Sequence, residues 1–172
     1  MLGIVDSFEF DGSFYIVTKY EAGGDLLDYA VARGKAHLSE KLAQRIFVQL
    51  ALGLKDIHIE QVVHRDIKHK NIFLNGHGKN LQVRIADFGL ACYLEYDECF
   101  VQDSGTLGYK SPEMVLKQPS DFKCDVWSLG IMTYELLCGE MPFKGSSAEQ
   151  IDEAILTKNL RFKGKIWAGV SE

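Results

Sequence analysis

The chain has 172 residues, of which 47% are hydrophobic and 11% are aromatic. This composition excludes a globally disordered chain, and the length suits one compact domain or part of a larger one. The chain carries 19 Lys and Arg residues against 24 Asp and Glu residues, and the resulting formal net charge of -5 argues against a protein that coats nucleic acid.

Membrane and export signals are not evident in the sequence. No apolar run reaches the length of a membrane span, and Met1 to Phe10 lack a basic leader and a cleavage site. The four cysteines are irregularly spaced and form no zinc-binding pattern, so we expect isolated, reduced thiols. These observations predict an intracellular, cytoplasmic protein.

The first twenty residues predict a β-hairpin. Apolar and polar residues alternate on both sides of Asp11-Gly12, a dipeptide typical of tight turns. Two strands are marginally stable by themselves, so we expect the hairpin to belong to a larger unit.

Helical and extended segments follow in chain order. Asp25 is a candidate cap for a short helix that continues to Gly34, and Ser39 begins an amphipathic helix that runs to about His58. Short strands are predicted at residues 62–63, 72–74 and 83–85, and no periodicity is sustained over residues 92–111. Two further helices are predicted, a fully buried one over residues 126–138 and an amphipathic surface helix over residues 148–156.

One block of the sequence has the groups that phosphoryl transfer requires. Asp66, Lys68 and Asn71 lie within six positions, and Asp87 follows in the tripeptide Asp87-Phe88-Gly89. Phosphoryl transfer needs a group that orients a hydroxyl, oxygen ligands for Mg²⁺, and a cation that offsets charge on the transferred phosphoryl group. Each residue alone also fits a turn or a solvated charge. Their joint spacing favours the catalytic interpretation.

The motifs together resemble the large lobe of eukaryotic protein kinases. The chain contains the family's His-Arg-Asp and Asp-Phe-Gly motifs, its Gly-Thr and Pro-Glu motifs at the end of the activation segment, and the start of its central buried helix at Asp125. The resemblance implies an α+β, protein-kinase-like fold. It further implies a partial kinase domain in which residues 1–17 are a strand remnant of the small lobe, residues 18–25 the hinge, and residues 26–172 the large lobe without its last helices.

The resemblance assigns catalytic roles to the block. Asp66 would orient the substrate hydroxyl, Lys68 would offset charge on the γ-phosphate, and Thr106 would hydrogen-bond beside both. Asn71 and Asp87 would bind Mg²⁺. His64 and Phe88 would stack in the active geometry, anchored by Asp125.

The resemblance also implies an ATP site. The carbonyl of Lys19 and the amide of Glu21 would bind the adenine edge, with Thr18 as a small residue at the back of the pocket. Asp25 would lie near the ribose and Phe73 would form the floor. Two alternatives stay open here, because Asp25 also fits a helix cap and Phe73 also fits a core position.

The type of kinase follows from the same motifs. Lys68 and the Gly105-Thr106 pair resemble the serine/threonine type, and the segment after Met141 is similar to the calcium/calmodulin-dependent and calcium-dependent group. Lys70 stands where basophilic members have a glutamate that binds a substrate arginine. We therefore do not expect arginine upstream of the phosphorylated residue.

Regulation is predicted from the activation segment. The family's primary phosphorylation position falls on Gln102, which cannot be phosphorylated. We hypothesise that Asp103 partly substitutes for phosphate opposite Arg65, with Ser104 as an alternative phosphorylation site. A solvated acidic loop explains the same residues.

The resemblance leaves two functions open. The chain lacks the family's glycine-rich loop, its lysine on the third strand and its last helices, so Glu113 is expected to lack its arginine partner, and the isolated chain is expected to be nearly inactive. In the first interpretation it is a fragment of an active kinase that binds ATP and a protein substrate. In the second it is a pseudokinase or interaction module that docks a partner near Ile151–Leu156.

Overall fold

The computed structural model describes residues 1–32, 37–94 and 104–171. The strands are β1 (Ile4–Phe10), β2 (Ser13–Thr18), β3 (Val62–Val63), β4 (Ile72–Asn75), β5 (Gln82–Ile85) and β6 (Cys92–Tyr93). The helices are α1 (Leu26–Ala32), α2 (Glu40–Ile59), α3 (Pro112–Val115), α4 (Lys123–Cys138) and α5 (Ala148–Thr157). Short 3-10 turns occupy residues 69–71, 78–80 and 167–169.

The predicted N-terminal hairpin is confirmed. β1 and β2 pair antiparallel with Phe10 opposite Ser13, and Asp11 and Gly12 both adopt positive φ, at 49° and 70°. Left-handed backbone at both turn positions matches the twist of the strands. Both faces of the hairpin are exposed, including Phe8, Phe10, Phe14 and Ile16.

The two predicted N-terminal helices are also present. α1 begins after Asp25, whose Oδ1 accepts a hydrogen bond from the backbone amide of Asp28 at 2.8 Å, so Asp25 does cap this helix. α2 begins after Ser39, although the serine side chain makes no capping bond. The predicted end of the first helix at Gly34 lies outside the described residues.

The main core lies between α2, α4 and the β4–β5 hairpin. Gln49 of α2 attaches the hairpin to the helix, since its Nε2 donates to the carbonyl of Leu81 at 3.2 Å and its Oε1 accepts from the amide of Val83 at 3.1 Å. Large side chains that are completely or nearly completely buried fill this core: Leu26, Ile46, Leu50, Ile57, Ile67, Ile72, Leu74 and Met132.

The prediction that the helix after Asp125 is buried on every side is wrong. α4 buries Leu129, Met132 and Leu136 against the main core, but Val126 is 57% exposed. A helix with an apolar sequence is completely buried only if other parts of the protein cover every one of its faces. Within the described part of the chain, the face of α4 that includes Val126 is open.

The expectation of reduced thiols holds at two of the cysteines and fails at a third. Cys124 and Cys138 are free, and Cys92 is disulfide-bonded. Irregular spacing does not exclude a disulfide, because pairing depends on distances in the folded chain. In the part of the chain that the structure describes, no helix combines the length and the apolar character that crossing a bilayer requires.

Candidate active site

The buried carboxylate of Asp125 fixes the beginning of the segment His64–Asn71. Asp125 is 0% exposed, and its two oxygens accept hydrogen bonds at 2.8 Å from the backbone amides of His64 and Arg65. His58 at the end of α2 contacts the same carboxylate through Nε2 at 2.9 Å. Three partners satisfy this buried charge, so the start of the loop has one defined position.

His64 is a structural residue with one defined tautomer. Its Nε2 donates to the carbonyl of Ala86 at 3.0 Å, and its Nδ1 accepts from the amide of Asp66 at 3.3 Å. The imidazole ring lies 4.8 Å from the ring of Phe88. His64 therefore connects the segment around Asp66 with the Asp87-Phe88-Gly89 segment, as expected for the predicted stack.

Asp66 is the centre of the polar network. Its Oδ1 accepts from the hydroxyl of Thr106 at 2.6 Å, and its Oδ2 accepts from Lys68 Nζ at 2.7 Å and from Asn71 Nδ2 at 3.0 Å. Lys68 Nζ also lies 2.8 Å from the oxygen of Thr106. The structure thus brings together all three predicted catalytic residues, Asp66, Lys68 and Thr106, with Asn71 beside them.

These contacts keep Asp66 ionised. Burial disfavours the charged carboxylate, but hydrogen bonds from Lys68, Thr106 and Asn71 and the charge of Lys68 outweigh it, and the pKa of Asp66 lies below its usual value. A carboxylate has about four positions that accept hydrogen bonds. Two partners occupy Oδ2 and one occupies Oδ1, so Oδ1 retains capacity for one more donor, such as a substrate hydroxyl.

The β4–β5 hairpin brings the two predicted Mg²⁺ ligands to one end. Asn71 precedes β4 and Asp87 follows β5, and the amide of Ala86 donates to the carbonyl of Asn71 at 2.9 Å. The side-chain nitrogen of Asn71 is used by Asp66, which leaves its oxygen for another partner. Asp87 is exposed and accepts from the amide of Gly89 at 3.2 Å.

This donor set fits Mg²⁺. One carboxylate and one amide oxygen are the hard ligands that Mg²⁺ prefers, with water and phosphate oxygens completing its shell. Among the described residues there is no cluster of three or more His, Cys, Asp or Glu side chains that would hold a metal ion. A cation at Asn71 and Asp87 would therefore depend on bound phosphate for further ligands.

The predicted hinge follows β2 directly. The amide of Lys19 donates to the carbonyl of Gly3 at 3.1 Å, whereas the carbonyl of Lys19 and the amide of Glu21 make no hydrogen bond within the described residues. Thr18 is the last residue of β2 and is exposed. The two backbone groups that the resemblance assigns to adenine are thus available to a ligand.

Close backbone contacts connect the hinge to β4. The amide of Gly23 donates to the carbonyl of Leu74 at 2.9 Å, and a Cβ at Gly23 would lie 2.4 Å from that oxygen. Asp25 pairs with Phe73 through an isolated β-bridge, which brings the predicted ribose and floor residues together. The oxygen Oδ2 of Asp25 is not used in capping α1.

The predicted regulatory residues are described only in part. Arg65 has a positive φ of 65°, and its Nε donates to the carbonyl of Leu90 at 2.6 Å. Ser104 is 8% exposed, so its phosphorylation requires this segment to move. Asp103, together with the phosphate-mimicking contact predicted for it, lies outside the described residues.

Two predictions concern the C-terminal part of the chain. Glu113, whose arginine partner is expected to be missing, makes no ion pair among the described residues. In α5, the proposed docking helix, Ala154 and Ile155 are buried beside Ile131 and Phe143, while Leu156 is exposed. Packing within the fold therefore accounts for most of the amphipathic pattern.

Sequence reasoning missed a second polar cluster beside the site. The hydroxyl of Tyr109 donates to Glu135 Oε2 at 2.7 Å, and His69 Nδ1 lies 3.0 Å from the Tyr109 oxygen and 3.2 Å from Glu135 Oε2. Burial disfavours the charged carboxylate, but contacts from His69 and Tyr109 outweigh it and lower the pKa of Glu135. These residues lie far apart in sequence, so no spacing indicates the cluster.

Comparison with known proteins identifies the family. The family model described as a protein kinase domain matches residues 1–172. A probable myosin light chain kinase of Dictyostelium discoideum is 36% identical over 172 residues, which cover 100% of this chain and 49% of that protein. A calcium/calmodulin-dependent protein kinase of Emericella nidulans is 36% identical over 169 residues, 98% of this chain and 40% of that protein. The chain belongs to the protein kinase family.

A third relative supports the predicted subgroup. A calcium and calcium/calmodulin-dependent serine/threonine-protein kinase of Pisum sativum is 34% identical over 172 residues, covering 100% of this chain and 32% of that protein. The prediction of a kinase similar to the calcium/calmodulin-dependent and calcium-dependent group is thereby confirmed. The chain spans half or less of the length of these relatives.

Proposed function

We propose that the chain forms the catalytic part of a protein serine/threonine kinase that transfers the γ-phosphate of ATP to a protein hydroxyl. The observation that carries the proposal is the hydrogen bonding of one ionised carboxylate, Asp66, by Lys68, Thr106 and Asn71. A module that only binds a partner does not require a carboxylate placed and ionised in this way. The serine/threonine type follows from the names of the relatives and from the Lys68–Thr106 contact.

In the proposed mechanism, Asp66 orients the attacking hydroxyl. Oδ1 has room for one hydrogen-bond donor beside Thr106, and a hydroxyl bound there has its lone pair directed away from the carboxylate. Because the pKa of Asp66 is lowered, the carboxylate is ionised at neutral pH and acts mainly by positioning the nucleophile. As the bond between the hydroxyl oxygen and the γ-phosphorus forms, the bond between that phosphorus and the β–γ bridging oxygen breaks, ADP leaves, and the hydroxyl proton passes to Asp66.

Lys68 supplies positive charge next to the reacting groups. Its ammonium group is held by Asp66 Oδ2 and the Thr106 oxygen, so it is oriented before substrate binds. A preorganised cation stabilises negative charge on the transferred phosphoryl group without reorganisation during the reaction. Mg²⁺, when bound by Asn71 and Asp87, neutralises phosphate charge.

The nucleotide site is proposed along the hinge. The carbonyl of Lys19 and the amide of Glu21 would bind the adenine edge, because neither has a partner among the described residues. Thr18 would lie behind the adenine and Phe73 beneath it. Asp25 would bind the ribose through Oδ2 while Oδ1 caps α1.

Several finer assignments stay proposals. Arg65 would pair with Asp103, or with phosphate on Ser104, to order the activation segment. The substrate would be a protein, and no role in nucleic-acid binding is proposed for a chain of net charge -5. A cytoplasmic location is supported by the free thiols of Cys124 and Cys138, whereas the disulfide at Cys92 does not favour it.

The test is phosphate transfer by the protein purified at its natural length. With radiolabelled ATP, Mg²⁺ and a serine-containing protein substrate, Asp66→Asn should lower kcat by a factor of about 100 to 10,000. Asp56→Asn on the exposed face of α2 is the matched control and should retain full activity. A wild-type protein that transfers no phosphate, or an Asp66→Asn variant with full activity, would contradict the proposal and favour a pseudokinase.

A further inference from the structure

The loop after α5, residues 158–166, is strongly basic, and we refer to it as the basic loop. Four cations lie within eight positions, and residues 154–171 contain no aspartate or glutamate. These cations are Lys158, Arg161, Lys163 and Lys165. All four side chains are exposed, and none of them forms an ion pair with another described residue. The basic loop is therefore a patch of free positive charge on a chain whose formal net charge is -5.

The basic loop also exposes apolar side chains between its cations. Leu160 is 45% exposed, Phe162 is 59% exposed and Ile166 is 37% exposed. Cations interspersed with exposed apolar side chains are typical of segments that lie at the interface between water and a lipid bilayer. There the charges contact anionic headgroups, and the apolar groups enter the boundary of the acyl chains.

The backbone of the basic loop is anchored although its cations are free. The hydroxyl of Tyr134 in α4 donates to the carbonyl of Arg161 at 3.2 Å, and the rings of Tyr134 and Trp167 lie 4.7 Å apart. The ring of Phe162 lies 4.8 Å from that of Trp167. These contacts order the loop without using a charged group. A loop that is ordered in advance loses less conformational entropy when it binds a partner.

A cavity of about 560 Å³ beside the basic loop has groups that bind phosphate. It is lined by Tyr134, Pro142, Thr157, Lys158, Asn159 and Arg161. A guanidinium group forms paired hydrogen bonds with phosphate oxygens, and an ammonium group adds a point charge. The carboxylate of Glu140 is already paired with Lys144 at 2.5 Å, so it competes less for these two cations.

We propose that the basic loop docks the protein on a membrane surface that carries anionic phospholipids. A headgroup phosphate binds at Lys158 and Arg161, while the exposed apolar side chains of the loop enter the acyl boundary. These side chains favour a lipid over free phosphate, which has no apolar part. They also favour a lipid over nucleic acid, because Leu160 and Ile166 have no aromatic face on which a base stacks. The inference does not depend on the kinase function, since no residue of the proposed active site takes part.

Co-sedimentation with lipid vesicles tests the proposal on the protein purified at its natural length. The vesicles contain either phosphatidylcholine alone or equal parts of phosphatidylcholine and phosphatidylserine. The wild-type protein should bind the anionic vesicles at least about tenfold more tightly, and this preference should weaken as the salt concentration rises. Each cation near such a surface strengthens binding about fivefold, so Arg161→Glu combined with Lys163→Glu should lower the affinity for anionic vesicles at least about 25-fold.

Lys41→Glu combined with Lys79→Glu is the matched control. It makes the same change in net charge at two exposed lysines outside the basic loop, so vesicle affinity should change by less than about threefold. Circular dichroism verifies that both double variants are folded. Leu160→Gln keeps every charge and should still lower the affinity for anionic vesicles about threefold, because a lipid surface also contacts the apolar side chains.

Two further measurements separate a lipid from the other anions that a basic loop attracts. Isothermal calorimetry measures the binding of inorganic phosphate, and fluorescence anisotropy measures the binding of labelled single-stranded poly(U) RNA. Binding of either anion without binding to anionic vesicles overturns the proposal, and so does equal binding to neutral and anionic vesicles. Anionic-vesicle binding that survives charge reversal in the basic loop overturns it as well. Loss of that binding in the loop variant, with binding retained in the control, supports the proposal whether or not the protein transfers phosphate.

Discussion

Asp125 illustrates how one buried residue organises chemistry elsewhere. It contributes no atom to the proposed reaction, yet its carboxylate holds the amides of His64 and Arg65 and the side chain of His58. Burying a charge is costly unless all its hydrogen-bonding capacity is used, so these contacts act as a unit. The residue behaves as a structural anchor for the segment that presents Asp66.

Removal of this anchor should strongly destabilise the protein. Asp125→Ala leaves two backbone amides buried without an acceptor, and we expect the free energy of unfolding to fall by about 3 to 5 kcal/mol. Urea unfolding followed by circular dichroism measures the change. Asp56→Ala, at an exposed position, should change stability by less than about 0.5 kcal/mol. An Asp125→Ala variant as stable as that control would refute the anchoring role.

Among the elements, the β4–β5 hairpin is the one on which the proposed metal site depends. Asn71 and Asp87 flank its open end, and Gln49 of α2 fixes its other side through the carbonyl of Leu81 and the amide of Val83. The hairpin has four residues in each strand, and such a short pair is unstable without packing. The position of the Mg²⁺ ligands is therefore set partly by a helix that contains none of them.

Gln49→Ala tests this dependence. Loss of the glutamine leaves the amide of Val83 and the carbonyl of Leu81 without these partners, and we expect a loss of about 1 to 2 kcal/mol in stability. Hydrogen exchange should show faster exchange at Val83. Gln82→Ala, on the exposed face of β5, serves as the comparison and should leave exchange at Val83 almost unchanged. Identical exchange in the two variants would show that α2 does not hold the hairpin.

At the scale of the whole molecule, Glu135 contributes to the change in folding stability with pH. The pKa of this carboxyl in the folded protein lies below its ordinary value of 4.5. A carboxyl whose pKa is lowered by folding stabilises the protein at pH values above its ordinary pKa. This contribution is lost as the pH falls through the folded-state pKa. The wild-type protein should therefore lose part of its stability on acidification below about pH 4.5.

Glu135→Gln should flatten this part of the pH dependence. At about pH 7 the variant should be less stable than the wild type, and the difference should shrink as the pH falls below about 4.5 and the wild-type carboxyl becomes protonated. Urea unfolding at a series of pH values measures both curves. Glu153→Gln is the control, because Glu153 is exposed on α5. A stability difference that is constant across this range would contradict the assignment.

The sequence by itself determined the protein kinase family and the order of the elements. The catalytic motifs are short and contiguous, so local spacing was enough to identify Asp66, Asn71 and Asp87 as candidates. Hairpin and helix predictions also held where the signal was local, as at Asp11-Gly12 and Asp25. The complete burial predicted for α4 failed, because burial depends on what covers a helix and not on its own residues.

Only the tertiary structure decided which residues share hydrogen bonds. Asp125 binds residues about sixty positions away, and the contacts among His69, Tyr109 and Glu135 join a turn, a loop and a helix. No periodicity encodes such contacts, because they arise when separate elements pack around one core.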